Sequence, residues 1–353
     1  MSSNPLSGAI PIPLVEKHTL PTYTAATPAL DSYGRRIDYL RISLTDRCNM
    51  RCVYCMPALG MQFAPRPELL TNAELLLVVQ AAAAAGFRKL RLTGGEPTLR
   101  QDLAELIRAM KAIPGIEHIA MTTNALRLRK IAHQLKAAGL DRVNISIDSL
   151  APHKFRQMSR GGNLDAVWAG IEAAVAAGLE PIKLNAVIVR GMNDDEVIEL
   201  ARLTVKHPWE FRFIEVMPLT GVAGLANEGV VSSAELIARL EAAFGPLEGL
   251  GQAANDPARR YRIPGAPGKL GFISAVTDPF CATCNRMRLT ADGRLHLCLL
   301  RDDEVDLRTA IRAGAGVAEV EQIIRHAVYC KPWGHGLPAG VLPTRRGMSE
   351  LGG

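Results

Sequence analysis

Six of the seven cysteines in this 353-residue chain fall into two sets of three. Cys48, Cys52 and Cys55 are spaced Cys-x3-Cys-x2-Cys, and Cys281 and Cys284 form a Cys-x2-Cys pair joined later by Cys298. Thiolates are soft ligands that select zinc or iron–sulfur clusters. Structural zinc prefers four protein ligands. No fourth Cys or His lies near the first set, so its three thiolates suit a cubane with one open iron. A zinc knuckle borrowing a remote ligand is the competing reading. In the second set His296, two residues before Cys298, leaves a four-ligand zinc site equally open. Cys330 has no partner spacing and reads as a core or surface thiol.

A third chemical signal is cationic. Arg41, Lys89, Arg91, Lys183 and Arg212 alternate with apolar residues inside short β-like runs, and Arg286 and Arg288 follow Cys284 at once. Alternate residues of a strand point to opposite faces. If the apolar set meets a helix layer, the cations share an interior with Ser43, Thr93, Asn144, Ser146 and Asn185. Burying several cations without partners costs several kcal/mol each, so the interior holds water or a polyanion. An antiparallel sheet with one wet face would give the same alternation, but helical stretches separate these runs.

The elements that must position these groups alternate strand and helix. Strands are expected at Tyr39–Thr45, Lys89–Thr93, His118–Thr123, Arg142–Asp148, Ile182–Val189 and Glu210–Val216. Helices are expected from Thr71 to Gly86, at Leu103–Ala112, Leu126–Ala138, Leu164–Ala177 and Asp194–Lys206. Such alternation implies parallel β/α units. We expect a partial (β/α)6 TIM-like barrel, with a doubly wound sheet as the runner-up. Beyond Met217 the rhythm breaks into a smaller α+β layer closing the barrel. It includes helices at Ser233–Phe244, Val305–Arg312 and Val317–Tyr329 and strands at Leu270–Val276 and Leu295–Leu300. Residues 1–30 read as a flexible leader, 31–220 as the barrel, and 221–353 as the C-terminal region.

Composition narrows the class. Hydrophobic residues make up 48% and charged residues 22%, which excludes wholesale disorder and a coiled-coil rod. The net charge of +6 is modest over this length. It points to an anionic ligand rather than a nucleic-acid coat. No window is expected to reach the roughly 18 apolar residues of a membrane span. Without an export pattern the expected compartment is the cytoplasm, where thiols stay reduced.

The first cysteine set, with Tyr54 before its third member, resembles the signature of radical S-adenosylmethionine enzymes. Thr93-Gly-Gly-Glu-Pro97 resembles their Gly-Gly-Glu-Pro segment, although alone it would pass for a turn into a helix. With the second set, Arg286, Arg288 and the terminal Gly352-Gly353, the stretch from about Gly34 to Gly353 closely resembles the MoaA-type GTP 3′,8-cyclases of molybdenum cofactor biosynthesis. The segments Arg41–Cys48, Arg91–Pro97, Thr122–Asn124, Asn144–Asp148 and Arg212–Met217 carry the likeness. The leader, the stretch Ala58–Pro67 and Leu351 in place of the family's more frequent Ile depart from it.

The resemblance implies a carbon–carbon lyase with two [4Fe–4S] clusters, on Cys48, Cys52 and Cys55 and on Cys281, Cys284 and Cys298. It implies S-adenosylmethionine contacts at Tyr54, Gly94, Gly95, Glu96, Thr122, Asn124, Ser146 and Met217. GTP contacts fall to Arg41, Lys89, Arg91, Lys183, Arg212, Arg286 and Arg288. Arg41, Arg286, Arg288, Gly352 and Gly353 take catalytic parts. A 5′-deoxyadenosyl radical would abstract the 3′ hydrogen of GTP, and C3′ would then close on C8 of the guanine. Implied partners are a flavodoxin- or ferredoxin-type electron donor and the cyclic pyranopterin monophosphate synthase that receives the product. The chain would be a homodimer or monomer binding neither nucleic acid nor membrane. A peptide-modifying two-cluster radical enzyme and a zinc-bearing nucleic-acid binding module are the alternatives.

Overall fold

The six alternating runs form strands β1 (Tyr39–Ser43), β2 (Lys89–Thr93), β3 (His118–Thr123), β4 (Arg142–Ser146), β5 (Lys183–Ile188) and β6 (Glu210–Glu215). The computed structural model describes residues 28–57, 61–220, 222–251 and 256–352. Six further strands follow: β7 (Glu248–Gly251), β8 (Arg259–Arg262), β9 (Lys269–Ile273), β10 (Arg286–Leu289), β11 (Arg294–His296) and β12 (Glu304–Asp306). They make one sheet in the order β12-β11-β10-β1-β2-β3-β4-β5-β6-β9-β8-β7. β10 pairs parallel to β1 and β9 parallel to β6. The C-terminal region therefore lengthens the six-strand parallel arc by one strand at each edge. Antiparallel pairs β10–β11–β12 and β9–β8–β7 finish both sides.

The parity of the strands is as the pattern requires. Leu40, Ile42, Leu90, Leu92, Val143, Ile145, Leu184 and Ala186 are buried in the core shared with the helices. Helices Asn72–Ala85, Leu103–Lys111, Leu128–Ala137, Leu164–Ala176 and Val197–Lys206 connect successive strands. The Asn72–Ala85 helix starts in a capping box, Thr71 with Glu74, and stops at Gly86 in the left-handed region. By length and mean hydropathy, Arg66–Ala85 would pass for a membrane span, contrary to the sequence expectation. Its apolar face is spent instead on this core, where it packs against the helix Val317–Tyr329.

Several elements differ from expectation. Pro152–Ser159 is a helix begun by proline at its first position, too short for its periodicity to stand out. The helix Ala223–Gly229, between Met217 and the expected helix at Ser233, is not among the expected elements. Residues Glu304–Asp306 are strand, and the helix expected from Val305 starts at Leu307, capped by Asp306. Residues 1–27 of the expected leader lie outside the described residues. Its last residues join the fold, with Ala29 buried and Leu30 bridged to Arg36.

Candidate active site

Strand direction places the two thiol sets at opposite ends of the barrel. Cys48, Cys52 and Cys55 follow β1, at its C-terminal end. Cys281 and Cys284 precede β10, which runs parallel to β1, and Cys298 follows the antiparallel β11. At about 3.3 Å per residue, a strand of this length separates the ends by on the order of 15 Å.

Between them lies a cavity of about 350 Å³, within the range of small-molecule sites. Its wall carries Arg41, Lys89, Arg91, Lys183, Arg212, Arg286 and Arg288, so all seven cations read from the sequence meet in one chamber. Cys281, Cys284 and Cys298 are on the same wall, as are Thr122 and Met217. Sequence reasoning missed Tyr39, Arg142, Asp256, Lys331 and His335, which also line it. Tyr39 shares the parity of Arg41, and Arg142 that of Asn144, so a strict parity count would have found these two. The other three lie outside the expected strands and carry no period.

The chamber is electropositive. Burial, then the Arg288 and Arg91 guanidiniums, push Arg41 well below its ordinary pKa. Burial and Arg286 bring Arg288 down to about 10. Burial, Arg212 and Arg142 lower Lys183 to about 8, against the pull of Glu210. Part of the charge is matched internally. Lys183 lies 2.9 Å from Glu210, and Arg212 bridges Glu210 and Asp256, the latter at 3.1 Å. Among the described residues no carboxylate pairs with Arg91, Arg142 or Arg288. The Arg91 Nε donates to the Tyr39 hydroxyl, and the Arg91 and Arg286 guanidiniums stand 5.7 and 6.0 Å from the Tyr39 ring centre. Against its burial, Arg91 and Arg41 hold that phenol below its ordinary value.

The first thiol set is outside the cavity wall. Burial pushes Cys52 well up and Cys55 up to about 12, and each thiol also feels its neighbours in the set. Three such thiolates need a polycationic centre on them, which an iron–sulfur cluster provides. In the second set Lys331 and Arg286 hold Cys284 below its ordinary value against burial. No group of three His, Cys, Asp or Glu side chains among the described residues closes to the dimensions of a single metal ion. A cubane does not require that, since each thiolate takes a separate iron corner. His296, the fourth ligand of the zinc alternative, is buried on β11 with its ring 3.8 Å from Glu304.

The remaining sequence-read residues gather near Cys48. Gly95 N–H donates to the Thr45 carbonyl at 2.6 Å, and a Cβ at Gly95 would stand 2.1 Å from the Arg47 carbonyl oxygen. Glycine there lets the 94–96 backbone lie on the loop leading to Cys48. The Glu96 carboxylate is buried and accepts from Thr98, Thr123 and the Asn124 backbone. Its side chain thus braces the strand ends. The Asn124 amide donates to Asn49 at 2.7 Å beside Cys48. The Tyr54 hydroxyl donates to Asp148 at 2.7 Å, and burial raises that carboxyl to about 6. Ser146 ends β4 opposite Asn185.

The chain end reaches the lumen. Gly352 has φ +72°, and a Cβ there would stand 1.8 Å from Thr93 Oγ1. Arg288 donates to the Leu351 carbonyl at 3.3 Å and to that of Gly352. Gly353 lies outside the described residues.

A parallel barrel with a Cys-x3-Cys-x2-Cys loop after its first strand defines a radical S-adenosylmethionine protein. Residues 42–204 match the radical SAM superfamily, and residues 209–337 match the Molybdenum Cofactor Synthesis C family. The fold resembles Streptococcus suis SuiB, with a TM-score of 0.58 at 14% identity over 88% of this chain and 69% of that one. The GTP 3′,8-cyclase of Pelotomaculum thermopropionicum is 47% identical over 92% of this chain and 99% of its own length. That of Streptomyces coelicolor is 43% identical over 92% and 96% respectively. The chain belongs to the GTP 3′,8-cyclase family.

Proposed function

We propose that this chain is a GTP 3′,8-cyclase, a lyase that joins C3′ of GTP to C8 of its guanine in the first step of molybdenum cofactor biosynthesis. The observation that carries the reading is one chamber walled by both a thiolate set and inward cations. A nucleoside triphosphate needs both kinds of wall: guanidinium and ammonium donors for phosphate oxygens, and a distinct group to hold the base.

Cys48, Cys52 and Cys55 would hold one [4Fe–4S] cluster, and Cys281, Cys284 and Cys298 a second. When bound, these groups and S-adenosylmethionine supply one-electron chemistry and a carbon-centred radical. The protein's own part is positioning. Arg41, Arg91, Arg142 and Arg288 offer donors to the triphosphate, and each charge-assisted hydrogen bond contributes about 1.5–3 kcal/mol. Tyr39 fixes the angle of the Arg91 fork. Glu96 and Asn124 brace the loop beside Cys48, where Gly94 and Gly95 offer backbone to S-adenosylmethionine. Met217, Leu299, Leu300 and Phe280 line the chamber with apolar surface and keep bulk water from it.

A flavodoxin- or ferredoxin-type donor would reduce the cluster in the cytoplasm, and the cyclic pyranopterin monophosphate synthase would take the product. Anaerobic iron and sulfide analysis, combined with a GTP turnover assay, tests the reading. It expects about eight irons per chain for two clusters, with S-adenosylmethionine-dependent loss of GTP. Protein holding zinc without iron, or iron without GTP turnover, overturns it.

A further inference from the structure

The last turn of the chain is held at two points, and only one of them touches the lumen. Inside, Arg288 of β10 holds the Leu351 and Gly352 carbonyls. Outside, Arg346 precedes the short helix Met348–Leu351 and has a side chain only 15% exposed. Its Nε donates to Glu304 of β12 at 2.7 Å, and its Nη2 to the second oxygen of that carboxylate at 3.3 Å. Its two Nη groups also reach both oxygens of Asp292, at 3.2 and 3.0 Å. A third carboxylate, Glu350, lies 3.7 Å away and accepts the Gly347 N–H that starts the helix.

Two forked pairs from one guanidinium to two separate elements fix an angle as well as a distance. Asp292 sits in the turn joining β10 to β11, and Arg288 sits on β10 itself, so one hairpin grips the chain end from both sides. Gly352 packs so closely against Thr93 that there is no room for even a methyl group. The burial of Arg346 leaves its charge dependent on these acids, which raise its pKa despite desolvation.

We propose that Arg346 is a positioning residue for the reaction: an ion-pair latch to Asp292 and Glu304 that seats the chain end in the lumen without touching the substrate. The inference rests on the cyclase reading above. Its test compares cluster-loaded wild type, Arg346→Gln and Arg346→Lys under anaerobic conditions. Hydrogen exchange is followed in peptides from 345 to the C-terminus, alongside GTP affinity, kcat and iron content.

Arg346→Gln should speed exchange of the terminal peptide by roughly tenfold or more, because removing one partner of a buried ion cluster leaves the others uncompensated. The same variant should lower kcat by about tenfold or more, with GTP affinity within about twofold and iron unchanged. Arg346→Lys keeps the charge, loses the forks, and should fall between. A terminal peptide exchanging as in wild type, or a freed peptide with full kcat, overturns the latch. Should Arg346→Gln fail to fold, Asp292→Asn is the second variant, with the same two readouts. Wild type that loads both clusters but never consumes GTP would sink the cyclase reading instead, while the exchange arm still reads the latch.

Discussion

Replacing Lys183 with Met should make the GTP-free protein more stable and its hold on GTP weaker. The Lys183 side chain is 6% exposed and points into the chamber from β5. Burial first, then Arg212, bring its ammonium from 10.5 down to about 8. One pKa unit is about 1.4 kcal/mol, so the charged form costs about 3 kcal/mol relative to the unfolded chain. Below about pH 8 both states carry the proton and the cost is present in full. Between about 8 and 10.5 the unfolded chain binds a proton that the folded chain does not, so stability rises with pH. Above 10.5 neither state is charged and the cost is gone.

Met fills similar volume without the charge, and Glu210 keeps its ion pair with Arg212. The folded-state value already includes the attraction of Glu210, so the gain at pH 7 should be about 3 kcal/mol, less whatever Met loses in packing. The wild-type rise in stability between pH 8 and 10 should flatten. Loss of one charge-assisted contact should raise the Kd for GTP by on the order of ten- to a hundredfold. Anaerobic urea unfolding of cluster-loaded protein at several pH values, with equilibrium GTP binding, measures both. A variant less stable than wild type at pH 7, with unchanged GTP affinity, would mean that Lys183 and Glu210 form only a structural pair.

Cys52→Ser should abolish S-adenosylmethionine cleavage, read as the loss of 5′-deoxyadenosine, while iron on the second set persists. Cys284→Ser should do the reverse: cleavage continues slowly, GTP cyclisation stops, and about half the iron remains. Loss of all iron in either single variant would argue against two separate sites. Gly352→Ala adds a left-handed strain of about 1–2 kcal/mol to the contact with Thr93. It should lower kcat at least tenfold with both clusters intact, and normal turnover would detach the chain end from the mechanism.

The barrel was legible because its chemistry is written at the strand period. Arg41, Arg91 and Asn144 could face inward only if Leu40, Leu90 and Val143 faced the helices, and that parity survives folding. The same rule holds in β10, where Arg286 and Arg288 alternate with Met287 and Leu289, but four residues are too few to separate a strand from a loop. Lys331, Asp256 and His335 reach the wall from segments outside that pattern, and their role depends on where the chain turns. The ion latch was invisible for a different reason. Arg346 meets Asp292 and Glu304 across 54 and 42 positions, and nothing local distinguishes it from the solvated Arg345 beside it.

The arrangement of charge along the barrel suggests how two ligands are kept apart. At the end holding Cys48, the fully buried carboxyl groups Glu96 and Asp148 have their pKa raised by burial, while the half-buried Arg51 donates to the Cys48 carbonyl. At the other end the wall is crowded with guanidinium groups whose pKa values are lowered first by burial and then by one another. On the proposed reading, a sulfonium cation would be favoured near the first group and a triphosphate near the second, each by a field fixed before either arrives. Exchanging the two would place like charges together in a low-dielectric chamber, where repulsion at close range amounts to several kcal/mol. The polarity also accounts for Tyr39, a phenol whose ring lies against both the Arg91 and the Arg286 guanidiniums. On the proposed reading, a carboxylate there would neutralise the cations that a nucleotide would need, whereas a phenol separates the two and leaves their charge for the ligand.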